Sequence, residues 1–176
     1  MTFSFKKLLF LGLLVLILLG IGFGWKWYKA LTASTYQELL KALYEDSVPR
    51  LKVSALDSLE GFTILDTRLP SEYAVSHLPQ AQLVNYKNPD WEALEQLDKQ
   101  QKILVYCSVG YRSEKIGEGL LERGFTQVYN LHGGIFEWVN QGRRVVSQTG
   151  QTVEAVHGYS PRWGQWITAP VNIVYD

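Results

Sequence analysis

The sequence predicts an α/β protein, a parallel sheet flanked by helices on both faces and preceded by one transmembrane helix. Three observations carry that reading. Apolar, β-branched segments alternate with helical ones between residues 53 and 140, and strands apolar through their length are those buried on both faces of a parallel sheet. The only cysteine, Cys107, stands where one such strand, Ile103-Leu104-Val105-Tyr106, gives way to a helical segment. An uncharged run extends over residues 8–25.

The chain has 176 residues, enough for one domain and an appendage. Basic and acidic residues balance at 17 each, but unevenly along the chain. Lys6, Lys7, Lys26 and Lys29 flank the uncharged run, and no acid precedes Glu38. From Ala30 onward 13 basic residues face 17 acidic ones, a net of −4. A mildly acidic globular part argues against nucleic acid as a partner. One cysteine forms no internal disulfide and leaves no second thiol to resolve a modified Cys107.

Residues 1–7 read as a basic flank and residues 8–28 as a membrane anchor. A helix over residues 8–25 would span about 27 Å at ~1.5 Å per residue, close to the hydrocarbon thickness of a bilayer. Trp25, Trp27 and Tyr28 sit at its end, as interfacial aromatics do. A cleaved signal peptide would end in small residues around its cleavage site. This run ends in Gly-Phe-Gly-Trp-Lys-Trp-Tyr-Lys, which favours an uncleaved single-pass anchor. Lysines lie on both sides, so the charge rule leans only slightly toward a domain on the extracytoplasmic, periplasmic side rather than the cytoplasmic one.

Residues 29–50 read as a helical linker. Ser34 or Thr35 can cap a helix over residues 34–47, with Leu39, Leu40, Leu43 and Tyr44 at helical spacing, and Val48-Pro49 ends it. The main domain is placed at residues 51–146. A short strand is expected at residues 53–56, running into a turn of helix. Phe62-Thr63-Ile64-Leu65-Asp66 is a buried-type strand. Pro70 suits the first turn of a short helix. A strand follows at Gln82-Leu83-Val84. Residues 90–97 form an acidic amphipathic helix with Trp91, Leu94 and Leu97 on one face. After the strand before Cys107 come a helix over residues 113–123, a strand over 127–131 and a last helix over 135–140. Residues 147–176 are polar and aromatic without a clear period, and are expected to pack on the domain. Reactive groups in such sheets sit beyond the carboxyl ends of strands, the position of both Asp66 and Cys107.

The loop Cys107-Ser108-Val109-Gly110-Tyr111-Arg112 joins a strand to a helix N-terminus. Unpaired N–H groups and the helix dipole gather positive potential there, and Arg112 adds a full charge. Both favour a thiolate, so Cys107 reads as a nucleophile rather than a packing residue. Gly110 permits the bend. Three dispersed histidines and one cysteine show no metal-ligand spacing, so no metal and no cofactor are expected.

Leu65-Asp66-Thr67-Arg68, Glu72-Tyr73, His77-Leu78-Pro79, Cys107 to Ser113, and Leu131-His132-Gly133-Gly134-Ile135-Phe136-Glu137-Trp138 follow one another in that order. This set resembles a single-domain rhodanese, here with an N-terminal membrane anchor. The resemblance covers about residues 53–146. It implies the family's α/β fold and a Cys107 that carries a sulfane sulfur as a persulfide. The family pattern usually has glycine before the histidine and after the proline, where this chain has Ser76 and Gln80.

The reaction so implied is sulfur transfer from thiosulfate, or a related persulfide or polysulfide, to cyanide or a thiol such as thioredoxin or glutathione. Catalysis would rest on Cys107. The loop residues Ser108, Val109, Gly110, Tyr111, Arg112 and Ser113 would bind the sulfur and its donor. Arg112 would hold donor oxygens or support the thiolate, unless it forms a structural ion pair at the helix start. Asp66 and Arg68 are possible supporting residues, with a local turn-fixing role as the plainer alternative. Glu72 reads as a solvated helix-face residue, and His77 as closing a turn. A non-enzymatic sulfur carrier or a sulfide and redox sensor would use the same cysteine. Phosphatases of this fold, and arsenate reductases of that type, place five residues between cysteine and arginine. This chain has four, a smaller ring better suited to sulfur.

Overall fold

The computed structural model describes residue 20, residue 22 and residues 24–175. These fall in two compact units that divide between Leu43 and Tyr44. In the first unit, residues 24–31 are helical, and helix α1 spans Tyr36–Leu43 with Leu39, Leu40 and Leu43 on one face. Its N-terminus is capped reciprocally: Thr35 Oγ1 accepts from the Glu38 N–H at 3.2 Å, while the Glu38 carboxylate accepts from Ser34 N–H and Thr35 N–H. The helix is shorter than the span of residues 34–47 read from the sequence. Of the expected membrane span, residues 8–19, 21 and 23 lie outside the described residues. No helix among the described residues is long and apolar enough to cross a membrane.

The second unit is built on a five-stranded, wholly parallel sheet. Its strands are β1 (Arg50–Leu51), β2 (Phe62–Asp66), β3 (Gln82–Leu83), β4 (Lys102–Tyr106) and β5 (Gln127–Leu131), in the spatial order β1-β5-β4-β2-β3. The first strand lies ahead of its expected place, and residues 53–55 form a 3-10 turn instead. Helices α2 (Pro70–Val75), α3 (Trp91–Glu95), α4 (Tyr111–Glu122) and α5 (Gly134–Asn140) connect or follow the strands. Asp90 caps α3 by accepting from Ala93 N–H at 3.0 Å, and Pro70 opens α2 at a position that needs no N–H donor.

Side chains alternate across a strand, so β4 feeds two cores. Ile103 and Val105 join Leu65, Leu94, Ile116, Leu120, Phe125 and Val128 in one cluster, between the sheet and helices α3 and α4. Leu104 and Tyr106 face the other side, as do Ile64 and Asp66 of β2. All four are at most 1% exposed. Each such buried leucine or isoleucine contributes roughly 1.5–3 kcal/mol relative to exposure. Two-sided burial is why these strands read as unbroken apolar runs.

The segment 147–175, aperiodic in the sequence, forms short strands and a helical turn. Strand β6 (Val145–Val146) pairs antiparallel with β7 (Thr152–Val153), and β8 (Ala155–His157) pairs parallel with β9 (Asn172–Val174) around the short helix α6 (Pro161–Gly164). Strand β8 packs against α2, which brings the C-terminal segment to the carboxyl end of the sheet.

Candidate active site

Strands β2 and β4 are neighbours in register, with Asp66 opposite Tyr106. Cys107 therefore emerges at the carboxyl edge of the sheet, one residue beyond the ladder. It is 1% exposed. The loop bends at Gly110, whose φ of 98° lies in the left-handed region open to glycine, and helix α4 begins at the next residue. The bend turns the Gly110 N–H onto Cys107 Sγ at 3.1 Å.

Loop carbonyls are held on the outside of the bend. The Cys107 carbonyl accepts from Ile135 N–H at 2.9 Å and the Ser108 carbonyl from Phe136 N–H at 3.2 Å, both at the start of α5. The Val109 carbonyl accepts from the Tyr44 hydroxyl at 2.8 Å. The Gly110 carbonyl accepts from Asn130 Nδ2 at 2.8 Å and from Glu114 N–H at 3.2 Å. A planar peptide sets its C=O and N–H in opposite directions. In the Val109–Gly110 unit the carbonyl held by Tyr44 thus sets the following amide on Cys107 Sγ. Gly134 has to be glycine: φ is 57°, and a Cβ there would lie 2.2 Å from the Cys107 carbonyl oxygen.

Arg112 closes the loop through a bidentate ion pair with Glu72. Nη1 donates to Oε2 and Nη2 to Oε1, each at 2.7 Å, and Nη2 also donates to Ser108 Oγ at 2.9 Å. Ser108 Oγ in turn donates to Glu72 Oε1 at 3.0 Å. Burial weakens the guanidinium's hold on its proton, but Glu72 and the charge of Cys107 more than restore it, so its pKa lies above the usual value. Burial likewise pushes the Glu72 carboxyl up, and Arg112, the Leu69 N–H and Arg68 outweigh it, leaving the group below its ordinary range. Glu72 is 1% exposed. The solvated helix-face role read from the sequence is therefore corrected: Pro70 and the α2 turn carry this carboxylate inward, onto the loop.

The other residues singled out in the sequence separate into two groups. Ser108, Val109, Gly110 and Arg112 build the loop around Cys107, and Tyr111 is the first residue of α4. The Ser113 hydroxyl is fully buried and donates to Asn130 Oδ1 at 2.8 Å, bracing the loop from behind. Asp66 and Arg68 form a separate buried network. The Asp66 carboxylate accepts from Arg68 Nε and Nη2, from Arg68 N–H and from the Tyr106 hydroxyl, at 2.6 to 3.1 Å, and Arg68 Nη2 also donates to the Ser76 carbonyl at 2.6 Å. These bonds fix the turn from β2 into α2. They hold the helix that presents Glu72 and do not run to Cys107. His77 is tied to Val146 by paired backbone bonds of 2.9 Å and stacks on Tyr73 at 3.9 Å between ring centroids. No group of His, Cys, Asp and Glu able to hold a metal occurs among the described residues.

Three residues of the site were not read as part of it from the sequence, where Tyr44 figures only on the face of a helix. Asn130 ends up behind the loop because β5 lies beside β4. Tyr44 and Tyr159 come from outside the run of motifs. Tyr159 lies over the Arg112 guanidinium at 5.1 Å, in a left-handed conformation with φ of 65°. Its N–H donates to His157 Nδ1 at 3.0 Å.

A thiol at a strand's carboxyl end, facing an inward amide beside an arginine–glutamate pair on a parallel α/β sheet, is an arrangement able to carry cysteine-dependent group transfer. A family model for the Rhodanese-like domain matches residues 51–141, just over half of the chain, and the chain belongs to that family. Among curated proteins it is 31% identical over 96 residues to a sulfurtransferase of Allochromatium vinosum, covering 54% of this chain and 88% of that one. It is 31% identical over 91 residues to the thiosulfate sulfurtransferase GlpE of Coxiella burnetii, covering 52% and 84%. It is 37% identical over 93 residues to a tRNA uridine(34) hydroxylase of Cytophaga hutchinsonii, covering 50% of this chain but only 30% of that protein. The solution structure of the rhodanese-like domain of an Anabaena protein superposes with a TM-score of 0.52 at 27% identity, over 56% of this chain and 79% of that one.

Proposed function

We propose that this protein is a sulfurtransferase that moves a sulfane sulfur from thiosulfate, or a related persulfide or polysulfide, to a thiol or cyanide through a persulfide on Cys107. The observation that carries this reading is the Gly110 N–H on Cys107 Sγ at 3.1 Å, inside a loop of four residues between cysteine and arginine. The names of the two sulfurtransferase relatives support it.

In the first half-reaction the Cys107 thiolate attacks the outer sulfur of thiosulfate. A new S–S bond forms, the old one breaks, and its electron pair leaves with sulfite. In the second, cyanide or a thiolate attacks the terminal sulfur, and the electron pair of the persulfide bond returns to Cys107. This is covalent, two-step catalysis. Negative charge stays on sulfur throughout, so the Gly110 amide fixed on Cys107 Sγ serves both steps. No second cysteine is present in this chain, so the acceptor is external, for which a small thiol or a thioredoxin-like protein is suited.

The test is thiocyanate formation from thiosulfate and cyanide by the full chain, with intact-mass detection of one added sulfur. Cys107→Ala abolishes both on this reading, and turnover by that variant overturns it. A persulfide that forms without turnover to any small acceptor would instead make the protein a sulfur carrier or sensor.

Membrane attachment, with the domain on the extracytoplasmic side, is part of this proposal. It rests on the uncharged residues 8–25 and is supported by Trp25 at the end of that run and Tyr28 just beyond it, each 57% exposed. Extraction of the full chain by alkaline carbonate would overturn the anchor, and an active cytoplasmic reporter fused after the C-terminus would overturn the orientation.

A further inference from the structure

Tyr44 lies outside residues 51–141, yet its hydroxyl sits on the catalytic loop. The side chain is buried. It donates to the Val109 carbonyl at 2.8 Å and accepts from the Gly133 N–H at 2.8 Å. It thereby joins the loop after β4 to the turn that opens α5.

The Val109 carbonyl and the Gly110 N–H belong to one peptide unit, and planarity points them in opposite directions. Tyr44 holds the carbonyl end. The amide end is the donor at Cys107 Sγ. Of the four loop carbonyls at residues 107–110, that of Val109 is the one held from outside the matched region. Tyr44 also fills the space that the glycine leaves: a Cβ on Gly110 would lie 2.2 Å from the Tyr44 hydroxyl oxygen. Burial raises the pKa of the phenol, with the charge of Cys107 adding to it against the Gly133 N–H, so the hydroxyl keeps the proton it donates.

We propose that Tyr44 is a positioning residue for sulfur transfer: its hydroxyl ties Val109 to Gly133 and so aims the Gly110 N–H at the sulfur that Cys107 carries. The inference rests on the sulfurtransferase reading for its kinetic consequence, though not for its geometric one.

The test is Tyr44→Phe in the full chain, which removes one oxygen and keeps the ring. Loss of a whole oxyanion-type donor costs about 10²–10³ in kcat. Here the donor stays but is no longer aimed, so kcat should fall roughly tenfold, with KM for thiosulfate and cyanide within about twofold. Backbone hydrogen exchange at Gly110 should quicken at least about fivefold relative to amides in the middle of α4. A purely structural tyrosine would lower Tm and leave kcat, measured well below Tm, unchanged. An unchanged kcat, or a reduced kcat with unchanged Gly110 exchange, overturns the proposal. If the wild type takes up no sulfur at all, the sulfurtransferase reading falls, while exchange at Gly110 still decides whether Tyr44 orients this amide.

Discussion

Arg112 and Glu72 meet in a bidentate pair, 2.7 Å at both contacts, with the carboxylate 1% and the guanidinium side chain 15% exposed. The pair joins the first turn of α4 to α2, two elements 40 residues apart in sequence, and Ser108 bonds to both partners. The arginine that the loop pattern offers as a substrate ligand thus also fastens the loop to the domain. A buried pair of this kind adds little net stability over an apolar replacement, yet removing one partner strands the other charge.

Glu72→Ala should destabilise the domain by roughly 3–5 kcal/mol, the usual cost of leaving a buried charge without its partner. Glu72→Gln should cost less, because one hydrogen-bond acceptor remains. Urea unfolding measures both. Sulfur transfer should fall in both variants even where the protein stays folded, since Arg112 and Ser108 lose a common tether. Wild-type kcat in Glu72→Ala would show that the loop holds its shape without the pair.

The same carboxylate sets an acid limit. Its folded pKa is lowered from the ordinary 4.5, so the unfolded chain binds the extra proton more readily and stability rises with pH across the interval between the two values. The contribution is fully present above 4.5 and is lost as pH falls through the lower, folded value. Unfolding free energy measured from about pH 5 downward should therefore drop more steeply for the wild type than for Glu72→Gln. Parallel profiles would show that Glu72 does not carry this dependence.

Asp66 and Arg68 lead to a contrasting expectation. Both are fully buried, and removing the aspartate in Asp66→Ala leaves the arginine uncompensated at a cost of about 3–5 kcal/mol. Their bonds run to Tyr106, Ser76 and their own turn, so the effect should be on stability. Turnover per folded molecule, assayed well below Tm, should stay within roughly threefold of wild type, less than 1 kcal/mol in the barrier. A hundredfold loss in a folded Asp66→Ala would place this pair in the chemistry instead.

The sheet, its parallel sense and the bend that follows Cys107 were legible in the sequence because each rests on a short-range signal. Two-sided burial makes Ile103 to Val105 uniformly apolar, and a strand running through Gly110 into a helix is a bend that the local sequence alone specifies. Glu72 was misread because a single acidic residue on a short helix has the same local pattern whether it faces water or an arginine from a distant segment. Tyr44 and Tyr159 were missed for a related reason. Their partners, Val109 and Arg112, are 65 residues later in one case and 47 residues earlier in the other, and no periodicity links them. The first strand was displaced because a pair as short as Arg50–Leu51 is recognised only by its bonding to β5. The turn chemistry of Asp66 and Arg68 was readable, since an aspartate accepting from the amide two residues on is a local event.

Tyr159 lies outside the family-matched residues, as Tyr44 does, and its position over Arg112 leads to a last expectation. The ring covers the face of a guanidinium whose edge is taken by Glu72, and Trp163 meets that ring edge-on at 6.4 Å. At a partly exposed site such a contact is worth about 0.5–1 kcal/mol, so Tyr159→Ala should lower kcat/KM by roughly two- to fivefold. Tyr159→Phe keeps the ring and should match the wild type. The backbone there has φ of 65°, a conformation that costs an alanine about 1–2 kcal/mol but is open to glycine. Tyr159→Gly should therefore be more stable than Tyr159→Ala yet equally deficient in turnover. Recovery of activity in the glycine variant would mean that the backbone conformation, and not the aromatic face on Arg112, is what the active site uses.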